Sequence, residues 1–395
     1  MEHAETNRPL IVFAGGGTGG HLYPALAVAG ALRRQLKGCR IVFFGTNRPI
    51  DAQILSNTRW NLIPQRLAQL SAAPWRWPGI IAAYHRAAGD CRSRFLRDRP
   101  DWVIGTGGLG CVPPVRQAAR LGIATALLNP DALPGRANRH LARCVDTVFV
   151  QWPQARDAFP SSVDVEVVGC PVRAAFAHCS RDDGLQRFGL DAGKKTLLVT
   201  GASQGARTIN EATIACAEFL KHQVDWQVLH LTGRGGYASV VAGYADAGYS
   251  PAVVAFTEHM ADALACADLV VARGGASTLA ELTALAKPSI LFPYPYHKDM
   301  HQLANARCLA DTERGPAARI VLDAKNVRDN APRLQRALQE IMSDERLRKA
   351  MSDAAGALGA SDAADRIARM LLETTARSGP DAGCELLEPA PQTAR

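Results

Sequence analysis

The stretch LIVFAGGGTGGHLYPALAVAGALRRQL, residues 10–36, decides the fold class. A short apolar, partly β-branched run reads as a buried strand, the glycines as a tight turn, and the Ala/Leu-rich remainder as a helix. The same opening returns at RIVFFGT (40–46), followed by a helical patch from Ile50 to Leu55. It restarts as KKTLLVTGASQGARTINEATIACAEFL at 194–220. Between and beyond these lie further runs that end in glycine or a polar turn: WVIGTGG (102–108), ATALLNP (124–130), DTVFVQ (146–151), VEVVG (165–169), WQVLHLTG (226–233), AVVAF (252–256), LVVARGG (269–275) and SILFP (289–293). Strands alternating with helices predict α/β domains with parallel sheets, and the restart predicts two doubly wound domains of similar size. The expected boundaries are 8–172 and 173–358, with the connection near Cys170–Arg173. A helical region from Val327 to Leu372 closes the second half, and its last helix, about 360–375, is expected to pack back on the first domain. Residues 376–395, rich in Pro, Gly and Ala, are expected to be a disordered tail.

Composition narrows the class of partner. With 47% hydrophobic residues and a mean hydropathy of −0.06, a 395-residue chain has ample material for real cores, which excludes a disordered protein. A formal net charge of +8 and a sequence pI near 9.1 favour anionic partners such as nucleotides or acidic lipid surfaces. The ten cysteines form no C-x-x-C pair and no Cys/His cluster at zinc spacing, so a reducing, cytoplasmic protein without disulfides or structural metal is expected. Pro9–Leu32 carries no formal charge but is interrupted by six glycines, and the head MEHAETNR lacks a positive n-region. Neither a transmembrane helix nor a signal peptide is therefore expected.

Several loops carry residue types suited to chemistry. Gly15–Gly20 follows a strand and opens a helix, a setting in which backbone N–H groups approach an anion closely. It also satisfies G-x-G-x-x-G, but the second strand ends Phe44-Gly45-Thr46 with no acid to hold a ribose, which argues against a dinucleotide cofactor. His21 sits in the first helical turn, where the helix dipole works against a positively charged ring and leaves a proton acceptor. The alternative is a histidine that only caps or packs, and Thr18 is likewise either a cap or a ligand contact. Gly201-Ala202-Ser203-Gln204-Gly205-Ala206-Arg207 offers a second anion loop or a structural turn. Arg273–Glu281 offers a third, with Glu281 suited to paired ribose hydroxyls or else to a solvated helix start. The loop PYPYHKDMHQ (293–302) adds Asp299 and Gln302 as candidate partners for sugar hydroxyls. From Trp75 to Arg86, with Trp77, Ile80 and Ile81, aromatic and aliphatic residues stand beside arginines. This pattern fits a monotopic contact with an anionic membrane or an ordinary amphipathic helix. No nucleic-acid motif or dense basic run is present.

Taken together, the segments GGGTGGHLYPALAVA (15–29), GTGG (105–108), LPGRANR (133–139), VGCPVR (168–173), GASQGARTIN (201–210), GGASTLAEL (274–282) and HKDMHQLANA (297–306) resemble the MurG family. These are glycosyltransferases that add N-acetylglucosamine to the lipid-linked muramyl-pentapeptide precursor of peptidoglycan. The resemblance runs from about residue 10 to 370. It implies a GT-B fold, two Rossmann-like domains facing a cleft, with the nucleotide sugar mainly on the C-terminal domain and the lipid acceptor mainly on the N-terminal one. It implies Thr18, Gly19 and Gly20 near the donor sugar and diphosphate, and Arg173 and Ser203 on the diphosphate. The loop Ala276, Ser277, Thr278, Leu279, Ala280 and Glu281 falls to the nucleoside and ribose, Gln302 to a sugar hydroxyl, and the Thr257 backbone to uracil. Trp75–Arg86 falls where the family has its membrane patch, implying a peripheral protein at the cytoplasmic face of the inner membrane. The implied reaction is inverting transfer from UDP-GlcNAc to the acceptor's C4 hydroxyl with His21 as candidate base, and without cofactor or metal.

Three places depart from the family pattern. Leu128-Asn129-Pro130-Asp131 replaces a His-Glu-Gln-Asn run, so a donor-site amide becomes the acid Asp131. Leu109-Gly110-Cys111 replaces an aromatic-Val-Ser triplet, and Met300 an arginine. These changes bear on acceptor identity more than donor identity. The alternatives on the same architecture are a UDP-sugar transferase with another lipid acceptor, such as diacylglycerol, and a UDP-GlcNAc 2-epimerase.

Overall fold

The computed structural model describes residues 8–56, 58–68, 73–202, 205–296, 299–324 and 329–378. They form two compact units. One contains the chain up to Pro130, Pro134–Arg173 and the segment from Asp362 on; the other contains Asp131–Leu133 and Ala174–Ser361.

In chain order the first unit comprises β1 (Leu10–Gly15), α1 (Gly19–Gln35), β2 (Arg40–Thr46), α2 (Pro49–Ser56), β3 (Asn61–Gln65), α3 (Trp77–Arg97), β4 (Trp102–Gly107), α4 (Val112–Arg120), β5 (Ala124–Asn129), α5 (Arg136–Leu141), β6 (Thr147–Val150) and β7 (Asp164–Val167). The strands build one parallel sheet in the order β3-β2-β1-β4-β5-β6-β7. Every residue of β1 is buried, as a strand covered on both faces requires. Alternate side chains serve opposite layers. Ile11 and Phe13 pack with Leu22, Val28 and Leu32 of α1, whereas Leu10 and Val12 pack with Phe95 of α3 and Val115 of α4.

The second unit comprises α6 (Arg181–Phe188), β8 (Lys195–Thr200), α7 (Arg207–Ala215), α8 (Ala217–Lys221), β9 (Trp226–Leu231), α9 (Tyr237–Asp246), β10 (Ala252–Val254), α10 (Met260–Ala265), β11 (Leu269–Ala272), α11 (Ala276–Ala284), β12 (Ser289–Leu291), α12 (His301–Ala310), β13 (Ala318–Ile320), α13 (Asn330–Ser343) and α14 (Glu345–Ala357). Its parallel sheet runs β10-β9-β8-β11-β12-β13. A final helix, α15 (Ala363–Ser378), belongs to the first unit. There Ile367, Ala368, Leu371 and Leu372 join the core beside α1. The indole Nε1 of Trp102 donates to the Leu371 carbonyl at 3.1 Å, and Arg34 pairs with Asp365 at 2.9 Å.

The strand runs read from sequence are present, and two strands, β3 and β13, are added at sheet edges. Residues 376–378, expected in a disordered tail, form the last residues of α15. The rest of that expected tail lies outside the described residues. In both sheets the strand order reverses once, between β1 and β4 and between β8 and β11. Connections leave in opposite directions at such a point, and a crevice opens at the strands' carboxyl ends. The glycine loops lie there.

A buried polar cluster backs the loop after β8. His230 is fully buried; its Nε2 lies 3.1 Å from Asn210 Oδ1 and its Nδ1 2.9 Å from the Tyr244 hydroxyl. Because an amide oxygen only accepts, Nε2 carries the proton and Nδ1 accepts from the tyrosine. Asn210 in turn donates to the Thr232 carbonyl at 3.0 Å. Burial pushes the His230 pKa down from 6.5 to about 3. Below pH 6.5 the unfolded chain takes up a proton that the native ring refuses, so this contribution to stability, complete above 6.5, declines as the pH falls towards 3.

Two outcomes are expected. Leu371→Ala should cost about 2–5 kcal/mol, the usual loss for emptying a buried leucine site, and lower the urea midpoint of the first unit, while exposed Thr374→Ala leaves it within about 0.5 kcal/mol. Between pH 6.5 and about 4.5 the urea midpoint of the second unit should fall more steeply in the wild type than in His230→Gln, whose amide does not titrate.

Candidate active site

In the first unit the loop after β1 is pinned from below. Asp51 of α2 is fully buried. Its Oδ1 accepts from the Gly17 amide at 2.6 Å, and its Oδ2 from the Thr46 amide and hydroxyl, each at 2.7 Å. Gly16 has φ +140°, and a Cβ there would fall 2.2 Å from Asp51 Oδ2, so only glycine fits. The acid missing from the end of β2 thus comes from α2, and it faces the loop's own amides rather than a ribose.

Above the loop, Thr18 is the N-cap residue of α1 but makes no side-chain capping bond, and it is exposed. Of the two readings of Thr18, the cap is therefore excluded. Gly19 and Gly20 place their amides at the helix start, where a bound anion is favoured. The His21 ring is held by one bond, from Nδ1 to the Gly16 carbonyl at 2.9 Å. A carbonyl has no proton to give, so Nδ1 is the donor and, in the neutral ring, Nε2 keeps its lone pair. The ring lies against the loop after β4: a Cβ on Gly107 would stand 3.0 Å from His21 Nε2, and one on Gly108 3.3 Å from its Cε1. Both glycines have positive φ. Buried Gln65, at the end of β3, ties this loop in place by donating to the carbonyls of Gly110 at 2.7 Å and Gly45 at 3.3 Å. The Arg173 guanidinium stacks over the Tyr23 ring at 4.8 Å, beside the first turn of α1.

The second unit builds its own set of loops. After β8, Ala202 has φ +62°, and a Cβ on Gly205 would meet the Thr232 carbonyl at 2.1 Å. Ser203 lies outside the described residues. After β11, Gly275 caps α11. Ala276, Leu279 and Ala280 turn their side chains into the core, leaving Ser277, Thr278 and Glu281 half-exposed. The Ser277 hydroxyl is shielded from water with no hydrogen-bond partner among the described residues. Thr257 follows β10; its hydroxyl accepts from the His259 amide at 3.0 Å, so it closes a turn rather than reaching outward. Gln302 accepts from the Tyr294 amide at 2.9 Å, which makes its NH₂ the donating end. Asp299 bonds His301 Nδ1 at 2.8 Å, and that bond holds its carboxyl below the usual range.

Three residues of this region were not singled out from sequence: Asp51, Gln65 and Asp323. Arg273 donates to Asp323 at 2.8 Å, to Thr208 Oγ1 at 2.8 Å and to the Phe292 carbonyl at 3.1 Å, and lies 5.6 Å from the Tyr294 ring centroid. Asn330 donates to the other oxygen of Asp323 at 2.8 Å. This near-buried pair locks the ends of β11, β12 and β13 to α7 and α13. Asn305, fully buried in α12, donates to Gly274 O at 3.2 Å and to Asp131 Oδ1 at 2.8 Å, and accepts from the Ala132 amide at 2.8 Å. Asp131 is thereby anchored. Partners so distant in sequence leave no local pattern.

Helix α3 separates the two readings of the Trp75–Arg86 stretch. Its buried residues are Ala87, Ala88, Cys91 and Phe95, all in its later half. That half is an ordinary amphipathic helix. Ahead of it Trp75 is 80% exposed, Trp77 53% and Ile81 56%, with Arg76 and Arg86 also exposed and Ile80 half-buried. No helix among the described residues is long and apolar enough to cross a membrane.

Two family models match: the glycosyltransferase family 28 N-terminal domain over residues 11–150 and its C-terminal domain over 196–367. The chain is 36% identical over 369 residues to the UDP-N-acetylglucosamine–N-acetylmuramyl-(pentapeptide) pyrophosphoryl-undecaprenol N-acetylglucosamine transferase of Bacillus licheniformis, covering 92% of this chain and 98% of that one. To the Bacillus subtilis enzyme of the same name it is 34% identical, covering 92% and 99%. The crystal structure of Acinetobacter baumannii MurG superposes with a TM-score of 0.73 at 24% identity, covering 93% and 99%. Its likeness supports the GT-B fold. With identity of this level sustained through both units, the chain belongs to the MurG family of glycosyltransferases.

Proposed function

We propose that this protein transfers N-acetylglucosamine from UDP-GlcNAc to the C4 hydroxyl of undecaprenyl-pyrophosphoryl-MurNAc-pentapeptide, the step from lipid I to lipid II in peptidoglycan synthesis. The observation that carries the reading is the match to enzymes of that name along nearly their whole length. The geometry supplies the means. The acceptor hydroxyl attacks the anomeric carbon and inverts it, its proton passes to the unprotonated Nε2 of His21, and UDP leaves. Amides of Gly19 and Gly20, with the Arg173 guanidinium, meet charge that develops on the diphosphate. The α11 start binds the nucleoside, with Glu281 on the ribose hydroxyls, and the Gln302 NH₂ group meets a sugar hydroxyl.

The exposed Trp75, Trp77 and Ile81 at the start of α3, with Arg76 and Arg86 beside them, fit insertion of aromatic and aliphatic groups into an anionic leaflet. The protein would then sit peripherally at the cytoplasmic face of the inner membrane, where its lipid-linked acceptor lies.

Transfer of labelled GlcNAc to a short-chain lipid-linked muramyl-pentapeptide, in excess chelator and with a control lacking acceptor, tests the whole reading. UDP release that depends on the acceptor is expected; turnover of UDP-GlcNAc without acceptor would point to an epimerase, and binding without transfer to another acceptor. His21→Ala should lower kcat by about 10²–10⁴, the usual share of a general base, with UDP affinity nearly unchanged. Glu281→Ala should weaken UDP binding about 10–100-fold in calorimetry, the loss of a charge-assisted bond. Trp75→Asp with Ile80→Asp should release the protein from phosphatidylglycerol vesicles in flotation while donor binding stays as before.

A further inference from the structure

The hydrogen bonds of Asp51 and His21 meet on one peptide group. The Gly17 N–H that donates to Asp51 Oδ1 at 2.6 Å and the Gly16 carbonyl that accepts from His21 Nδ1 at 2.9 Å are the two ends of the same planar amide. We infer that Asp51 is a positioning residue for His21, acting through the Gly16–Gly17 amide. The inference rests on the reading of His21 as the base.

Electrostatics gives the series a direction. A negative carboxylate against the N–H pushes amide electron density towards oxygen, so the Gly16 carbonyl becomes a stronger acceptor, and hydrogen bonds in a chain polarise one another. A stronger acceptor holds the proton on Nδ1, fixes the ring plane and so keeps the Nε2 lone pair in place for the acceptor's proton. A carboxylate bonded directly to the imidazole does this in the Ser-His-Asp arrangement; here one peptide lies between them. The insertion suits a site that releases a diphosphate, because it keeps the carboxylate's charge a peptide's width away from a charged leaving group while its polarising effect reaches the ring.

The packing around the amide is built for this. Asp51 is fully buried, and its second oxygen is occupied by the Thr46 amide and hydroxyl, so the carboxylate cannot swing away. Gly16 leaves room for that carboxylate, while Gly107 and Gly108 leave room for the ring. The other charged group at the loop is Arg48, whose Nη1 donates to the Gly17 carbonyl at 3.3 Å. It holds the neighbouring peptide and touches neither end of the series.

Asp51→Asn keeps the shape but offers an NH₂ group where the buried site supplies N–H and O–H donors, and it removes the charge. In the full-length enzyme kcat should fall about 10- to 50-fold while KM for UDP-GlcNAc changes less than threefold. In a His21→Ala background the same substitution should change kcat less than twofold, because the residue it serves is gone. An equal loss in both backgrounds would overturn the inference and assign Asp51 to loop architecture alone. If His21→Ala leaves kcat unaltered, it is the reading of His21 that fails. A second measurement has a wild-type arm that stands whether or not Asp51→Asn folds. With ¹⁵N-histidine labelling and the His21 signals assigned by their loss in His21→Ala, the neutral wild-type ring should carry its proton on Nδ1. In Asp51→Asn that preference should weaken towards the Nε2 form. A wild-type ring protonated on Nε2 overturns the inference outright.

Discussion

Backbone amides at the carboxyl ends of a parallel sheet have no further strand to bond, and this constraint organises both units. Where strand order reverses, two neighbouring connections diverge, and the amides between them face a gap. Glycine is what lets the chain turn there without filling the gap. At β1 and β4 the turn is Gly15–Gly20 against Gly105–Gly108; at the ends of β8 and β11 stand Gly201 and Gly205, and Gly274 and Gly275. Each loop then feeds a helix whose first N–H groups add partial positive charge. The clustering of exposed amides at these strand ends is thus a product of topology.

Loops rich in glycine are entropically costly to hold, and both units hold them with buried polar groups rather than with apolar packing. Asp51 and Gln65 do so in the first unit. The Arg273–Asp323 pair with Thr208 and Asn330, the His230–Asn210–Tyr244 cluster and Asn305 do so in the second. A buried ion pair is poor evidence of net stability, because desolvation offsets much of its attraction. Its directional bonds nevertheless single out one arrangement of the strand ends, which a greasy contact would not.

How much of this was legible in the sequence follows from range. Strand, glycine turn and helix are contiguous, so β1–α1 and its repeat at β8–α7 read directly from residue order. The edge strands β3 and β13 did not: Asn61–Gln65 contains a proline, and Ala318–Ile320 is too short to show alternation. His21 was legible as a candidate because it follows its loop at once, but the direction of its proton was not, since that depends on which atom faces Nδ1. Asp51 lies 34 residues from Gly17, and Asp323 lies 50 from Arg273. An isolated acid in an ordinary helix or loop carries no mark of such a partner. Thr18 read equally well as cap or contact, and the missing capping bond removes the first of these.

The return of α15 to the first unit sets an order of events during synthesis. The chain leaves that unit after Arg173 and re-enters it at Asp362. Leu371 and Leu372 are part of its core, and the Leu371 carbonyl receives the indole proton of Trp102. Until the ribosome has made those residues, α1 and Trp102 lack the apolar partners that α15 supplies, and that part of the core stays open to solvent. The second unit, which is complete by Ser361, has no such wait. The half of the protein that emerges first is therefore the half that finishes last, and its nascent form is the one that needs shelter from aggregation.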